Sequence, residues 1–220
     1  MKQVKAVIFD MDGVVLDNNR WHLESWIQYA AYRHIPLRRE EAYSRVFGKT
    51  NREIIISAYP DSPEEQILDW SREKERLYRE LFTPHFCLAG GLAELLEFLS
   101  IKGIKMALAS NAPRENVDFA LDKGEIRHFF EQVLFEGMAE RPKPFPDIYL
   151  KTAALLGHEP EDCIVIEDSP TGIQAGIQAG CRVVALSSTF SKKDLQLLTP
   201  EVVDSLSEIV TMLQPQMSQS

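Results

Sequence analysis

Cysteine is scarce in this chain of 220 residues, and what there is forms no framework. Cys87, Cys163 and Cys181 are odd in number, and their spacing matches neither a zinc site nor a redox motif. Cys163 and Cys181 open two expected strands, which reads as small buried hydrophobes in a reducing compartment. Long apolar runs are also missing. The run before Asp10 is too short for a signal peptide, and no stretch approaches the roughly 18 residues of a membrane span. Positive charge is in deficit: 24 Lys and Arg face 33 Asp and Glu, for a formal net charge of −9. That excludes a general affinity for nucleic acid, which needs a clustered basic surface, but leaves room for a basic pocket. There is no internal repeat and no low-complexity segment. The expectation is a cytoplasmic protein, monomeric, with neither a membrane nor a nucleic-acid partner.

What is present is an ordinary globular composition, 45% hydrophobic and 26% charged, enough for one large domain or a core with a modest insert. Continuous apolar runs that end in a polar residue recur along the chain: "AVIFD", "IKMALAS", "CIVIEDS" and "CRVVALS", with a shorter candidate near Val133. Such runs fit strands buried on both faces of a parallel sheet. Helical stretches separate them. "PDIYLKTAALLG" begins with Pro146 and stops at Gly157, the asymmetry expected of helix ends. The alternation predicts an α/β fold, a Rossmann-like core with a mostly parallel sheet. Residues 18–82 differ, because no buried-strand run occurs there. Four helical stretches are expected, the first with a stripe of Trp21, Leu23, Trp26, Ile27 and Ala30. The fourth is expected to be capped by Ser62 and to carry Pro63 in its first turn, with Glu65 completing a capping box. Its many charges read mostly as a solvated face. Residues 1–17 and 83–220 are therefore expected to form the core, and 18–82 an inserted all-helical cap domain. The polar tail "QPQMSQS" is expected to fray.

Three of the four strongest strands end in reactive groups. The first delivers Asp10, with Asp12 two residues on. The second delivers Ser110, with Asn111 next. The third delivers Glu167 and Asp168. Ligands of open α/β sheets bind beyond the carboxyl ends of the strands, so these side chains should converge on one edge. Lys143 precedes the helix that feeds the third strand, held between Pro142 and Pro144. Carboxylates crowded together must raise their pKa values or share a cation. Oxygen-only ligands suit Mg²⁺. With Lys143, the Ser110 hydroxyl and free amides near Gly13, such a site offers a cation and hydrogen-bond donors to a tetrahedral anion. Phosphoryl transfer needs little more than that positioning and neutralisation. Asp10 can serve as nucleophile, and Asp12 can protonate the leaving oxygen and then activate water. Each of these residues alone also has a structural reading as strand-end punctuation, helix cap or surface lysine. The ordered set of four is what favours chemistry.

"DMDGVVLD", "ASN", "KPFPDIY" and "VIEDSPTGIQAG" together resemble the four motifs of the haloacid dehalogenase superfamily, in its order and across nearly the whole chain. The resemblance implies a phosphoaspartyl mechanism that depends on Mg²⁺. It implies that Asp10 is nucleophile and Asp12 general acid/base, and that Ser110 and Lys143 hold the transferring phosphoryl group. It implies metal binding by Asp10, Asp12 and Asp168, with Glu167 in or next to that shell. "DMDGVVLDNNRWHLESW" is similar to the β-phosphoglucomutase-like branch, where the residue at His22 assists the acid/base. The cap loop departs from that mutase. Phe47 stands where the mutase has a lysine before the loop glycine, Gly48, and Asn51 stands where it has a phosphate-gripping arginine. Lys49 and Arg52 are near but shifted.

The leading expectation is thus a phosphatase acting on a small phosphorylated metabolite, with a β-phosphoglucomutase-like isomerase as the alternative. A phosphate-accepting signalling module is a remote third, since such receivers are much shorter and lack a helical insert. Substrate contacts are expected from His22, Phe47, Gly48, Lys49 and Arg52 in the cap, and from Asn111 and Arg114 in the core.

Overall fold

A computed structural model describes residues 4–214. The polar tail expected to fray lies, from residue 215 on, outside the described residues. The chain runs β1 (Ala6–Phe9), α1 (Asn19–Tyr32), α2 (Arg39–Val46), α3 (Asn51–Ala58) and α4 (Glu64–Phe82). It continues through α5 (Leu92–Ile101), β2 (Lys105–Ala109), α6 (Arg114–Lys123), β3 (Gln132–Leu134) and α7 (Asp147–Leu156). It ends with β4 (Cys163–Glu167), α8 (Pro170–Gln178), β5 (Arg182–Leu186), α9 (Lys192–Leu195), β6 (Val202–Val203) and α10 (Leu206–Leu213). Two compact units result: Asn18–Phe86, and the chain before and after it.

The larger unit is an α/β fold around a six-stranded sheet of order β3-β2-β1-β4-β5-β6. Every pairing is parallel, and β1 lies between β2 and β4. The apolar runs explain this. Ala6, Val7, Ile8 and Phe9 are all fully buried, so both faces of β1 are covered, as a parallel sheet requires. Alternation assigns Ala6, Ile8, Ala107, Ala109, Val165 and Val183 to one packed cluster with Tyr149 and Ile173. Leu92, Leu95, Leu96 and Leu99 of α5 recur at helical spacing and are fully buried, each contributing about 2 kcal/mol on burial. At the end of α7, Gly157 takes the left-handed conformation (φ +76°) that its place after the last helical turn demands. β6 has only two residues and gave no periodic signal in the sequence.

The helical unit packs Trp26, Tyr29, Ala30, Ile35, Val46, Ile54, Ile55 and Ile67 into a core of its own. Trp21 instead stacks on His85 with ring centroids 4.2 Å apart. One sequence expectation is corrected here. Ser62 does not cap α4; the N-cap is Pro63, with no side-chain bond. Proline at that position moves the start of the helix to Glu64 and leaves Ser62 outside it. The capping box forms on α3, where the Thr50 hydroxyl accepts from the Glu53 amide and the Glu53 carboxylate accepts from the Thr50 amide.

Two charges of α4 are not solvated. Lys74 is 2% exposed and Glu75 is 6% exposed. Lys74 Nζ donates to Glu75 Oε1 at 2.9 Å and lies 3.2 Å from His22 Nδ1. Asn51 Nδ2 donates to the same Glu75 oxygen at 2.7 Å. Burial pushes the Glu75 pKa up, but Lys74, His22 and the Asn51 bond outweigh it and hold it at about 2. The folded value is depressed from 4.5, so this group stabilises the fold fully above about 4.5. That contribution is lost as pH falls from there towards about 2, and it amounts to roughly 3 kcal/mol. All three tryptophans, Trp21, Trp26 and Trp70, lie in this unit, so their fluorescence reports its unfolding. In urea titrations, Glu75→Gln is expected to be less stable than wild type near neutral pH. The gap should close as the pH falls below about 4.5. A gap independent of pH would contradict the pairing.

Candidate active site

The carboxyl end of β1 is fixed by the Asp10 amide, which donates to the Ile166 carbonyl at 3.0 Å. The chain then turns at once. The amides of Val14, Val15 and Leu16 converge on the Met11 carbonyl, and Gly13 adopts φ +77°, a value glycine takes without a steric penalty. Asp12 sits in this turn, half-buried, and its charge acts on Asp10.

Lys143 joins the strands' contributions. The peptide linking it to Pro144 is cis. Its ammonium donates to Asp10 Oδ1 at 2.6 Å, Glu167 Oε1 at 2.6 Å and the Ala109 carbonyl at 3.0 Å. Those three bonds match its three protons. Burial alone would favour loss of its proton, but the charges of Asp10 and Glu167 hold its pKa above the usual lysine range. Asn111 clamps the same residue by its backbone. Asn111 Oδ1 accepts from the Lys143 amide at 3.2 Å, and Asn111 Nδ2 reaches the Lys143 carbonyl at 3.5 Å.

Glu167 is fully buried and saturated. Oε1 accepts from Lys143 and, at 2.7 Å, from the Tyr149 hydroxyl. Oε2 accepts from the amides of Asp168 and Ser169 and from the Ser169 hydroxyl. Burial and the neighbouring charges of Glu167 and Asp10 keep the Tyr149 phenol protonated, well above its ordinary pKa, so it remains a donor. Ser169 also caps α8 by accepting from the Gly172 amide at 3.1 Å. Gly172 is required by the space available. A Cβ there would fall 1.8 Å from Glu167 Oε1, so no other residue lets α8 approach the carboxylate this closely.

Asp10, Glu167 and Asp168 each offer an oxygen, all within 4.8 Å of one another. Burial, then Glu167 and Asp12, raise the Asp10 pKa to about 7 against the opposing effect of Lys143. Burial, then Glu167 and Asp10, push Asp168 well above the carboxylate range. Ionised together, three carboxylates would outnumber the one ammonium, which is why Asp10 and Asp168 hold their protons in the absence of a cation. An all-oxygen donor set of this kind fits a hard divalent cation. Since the lone pairs of Glu167 already serve five donors, Asp10 and Asp168 are the side chains better able to give an oxygen to it.

The remaining residues expected at the site fall into two groups. Ser110 is buried at the end of β2, where its amide donates to the Leu134 carbonyl and its hydroxyl accepts from the Ala112 amide. Arg114 is on the surface of α6, paired with Asp118 of its own helix at 3.2 Å. His22, Phe47, Gly48, Lys49 and Arg52 belong to the helical unit. His22 stacks on Tyr78 at 3.8 Å, Phe47 packs against Tyr43 at 4.7 Å, and exposed Arg52 pairs with Glu64. Gly48 has φ +77°, and the Lys49 amide donates to the Val46 carbonyl at 3.2 Å. Tyr149 and Gly172 escaped the sequence reading, although both lie inside motifs already quoted, "KPFPDIY" and "SPTGIQAG".

The family model described as haloacid dehalogenase-like hydrolase matches residues 7–186, and the chain belongs to that family. The phosphorylated carbohydrates phosphatase of Thermotoga maritima is 33% identical over 182 residues, covering 80% of this chain and 82% of that protein. The beta-phosphoglucomutase of Bacillus subtilis is 30% identical over 191 residues, covering 83% of each. The crystal structure of a HAD hydrolase, family IA, variant 3, from Entamoeba histolytica matches with a TM-score of 0.89 at 26% identity, over 98% of this chain and 100% of that one. Among the described residues no helix is long and apolar enough to cross a membrane.

Proposed function

We propose that the chain is a Mg²⁺-dependent phosphatase that hydrolyses a small phosphorylated carbohydrate through a phosphoaspartyl intermediate. The observation that carries this reading is the buried assembly of Asp10, Lys143, Glu167 and Asp168 at the carboxyl edge of the sheet. Asp10 and Asp168 would hold the cation, which supplies charge neutralisation to the phosphoryl oxygens. Asp10 attacks phosphorus, and the bond from phosphorus to the leaving oxygen breaks. Asp12 gives that oxygen its proton. Asp12, now a carboxylate, takes a proton from water, whose oxygen attacks the phosphoaspartate and releases phosphate. Lys143 favours the charged form of Asp10 and orients its carboxylate, placing a positive charge beside the reacting group, and the Ser110 hydroxyl meets a transferring oxygen.

The Thermotoga maritima relative supports the substrate class, since phosphorylated carbohydrates stand in its name. The helical unit supports hydrolysis over isomerisation. Its Asn51, at the place of the mutase's arginine, carries no charge and is committed to Glu75, which does not leave it to grip a second phosphate. A panel of sugar phosphates tests the reading by free phosphate released with Mg²⁺ and with EDTA. Metal-dependent release is expected for part of the panel. Conversion of β-glucose 1-phosphate to the 6-phosphate with little free phosphate would establish the mutase instead.

A further inference from the structure

The fourth strong strand of the sequence, "CRVVALS", brought no chemical group to the site. The structure gives its continuation, "ST", a place. β5 pairs with β4 in a register that sets Ala185 opposite Glu167, so both chains leave the sheet side by side. Beyond β5, the Ser188 hydroxyl donates to the Gly13 carbonyl at 2.6 Å and lies 3.4 Å from Asp168 Oδ2. A hydroxyl has one proton, and the shorter contact takes it. The Thr189 hydroxyl is the donor to Asp168 Oδ2. Ser188 therefore ties this loop to the turn that carries Asp12, and Thr189 fixes the rotation of the Asp168 carboxylate.

We infer that Thr189 is a positioning residue for the cation site, holding Asp168 by one oxygen so that the other is presented to the metal. The inference rests on the metal reading of the proposed function. Outer hydrogen bonds of this kind orient ligating carboxylates, and their loss typically costs about 10- to 100-fold in metal affinity. Thr189→Val keeps the shape and removes the donor, whereas Thr189→Ser keeps the donor.

The test is calorimetric titration of Mg²⁺ into the metal-free protein, which reads affinity without turnover. Thr189→Val is expected to bind about 10- to 100-fold more weakly than wild type, and Thr189→Ser within about threefold of it. Melting in EDTA should be close to wild type for both. Equal Mg²⁺ affinity in wild type and Thr189→Val overturns the positioning role while leaving the proposed function standing. Absence of Mg²⁺ binding by wild type overturns the metal reading and this role together. If Thr189→Val does not fold, Thr189→Ala is read against the same two outcomes.

Discussion

Asp10→Asn is expected to lower kcat/KM for phosphate release by at least about 1,000-fold without lowering the melting temperature. The loss of activity follows from the role given to Asp10, since an amide cannot accept the phosphoryl group. The stability result follows from the electrostatics. Asp10, Glu167 and Asp168 crowd one another while only Asp10 and Glu167 pair with an ammonium, and burial adds to the cost of their charges. Removing one charge relieves that repulsion, while Lys143 keeps Glu167 and the Ala109 carbonyl as partners. Melting curves in EDTA check this. A marked drop in melting temperature would mean that the Asp10–Lys143 pair holds the fold together rather than serving chemistry.

Lys143→Met is expected to do the opposite to stability and much the same to activity. It leaves three buried carboxylates with no opposing ammonium, and such an uncompensated site costs about 3–5 kcal/mol. Loss of the positive charge beside the reacting Asp10 is expected to cost about 100- to 1,000-fold in kcat. The two substitutions should also couple. Asp10→Asn introduced into Lys143→Met is expected to restore part of the lost stability, because the residues share one contact. Additive changes would show that the pair is not interacting as the geometry implies.

How much of this was legible in the sequence varies from residue to residue. Asp10, Ser110, Glu167 and Asp168 could be found because each follows a continuous apolar run, and a parallel sheet aligns the ends of such runs. Lys143 could be placed only through its motif, since it lies on a connection whose path depends on how α7 packs. Tyr149 went unremarked inside its motif; that its hydroxyl reaches Glu167 is a fact of tertiary packing. Thr189 lies in a polar stretch after β5 that looks like any loop. Lys74 and Glu75 read as part of a solvated helix face, and only the packing of α1, α3 and α4 shows that they are buried. Gly172 read as a small residue in a short helix, and its necessity emerges only when the Glu167 carboxylate is placed against it. The short strand β6 was invisible because two residues have no period.

The central claim is that Asp10 accepts the phosphoryl group, and chemical trapping tests it most directly. Enzyme turning over a sugar phosphate with Mg²⁺ is quenched in acid and reduced with borohydride, which converts an acyl phosphate of aspartate to homoserine. Peptide mass analysis then locates the change. Homoserine at position 10, absent from Asp10→Asn and from enzyme without substrate, is the predicted result. Homoserine at position 12 or 168, or none at all while phosphate is being released, would contradict the account.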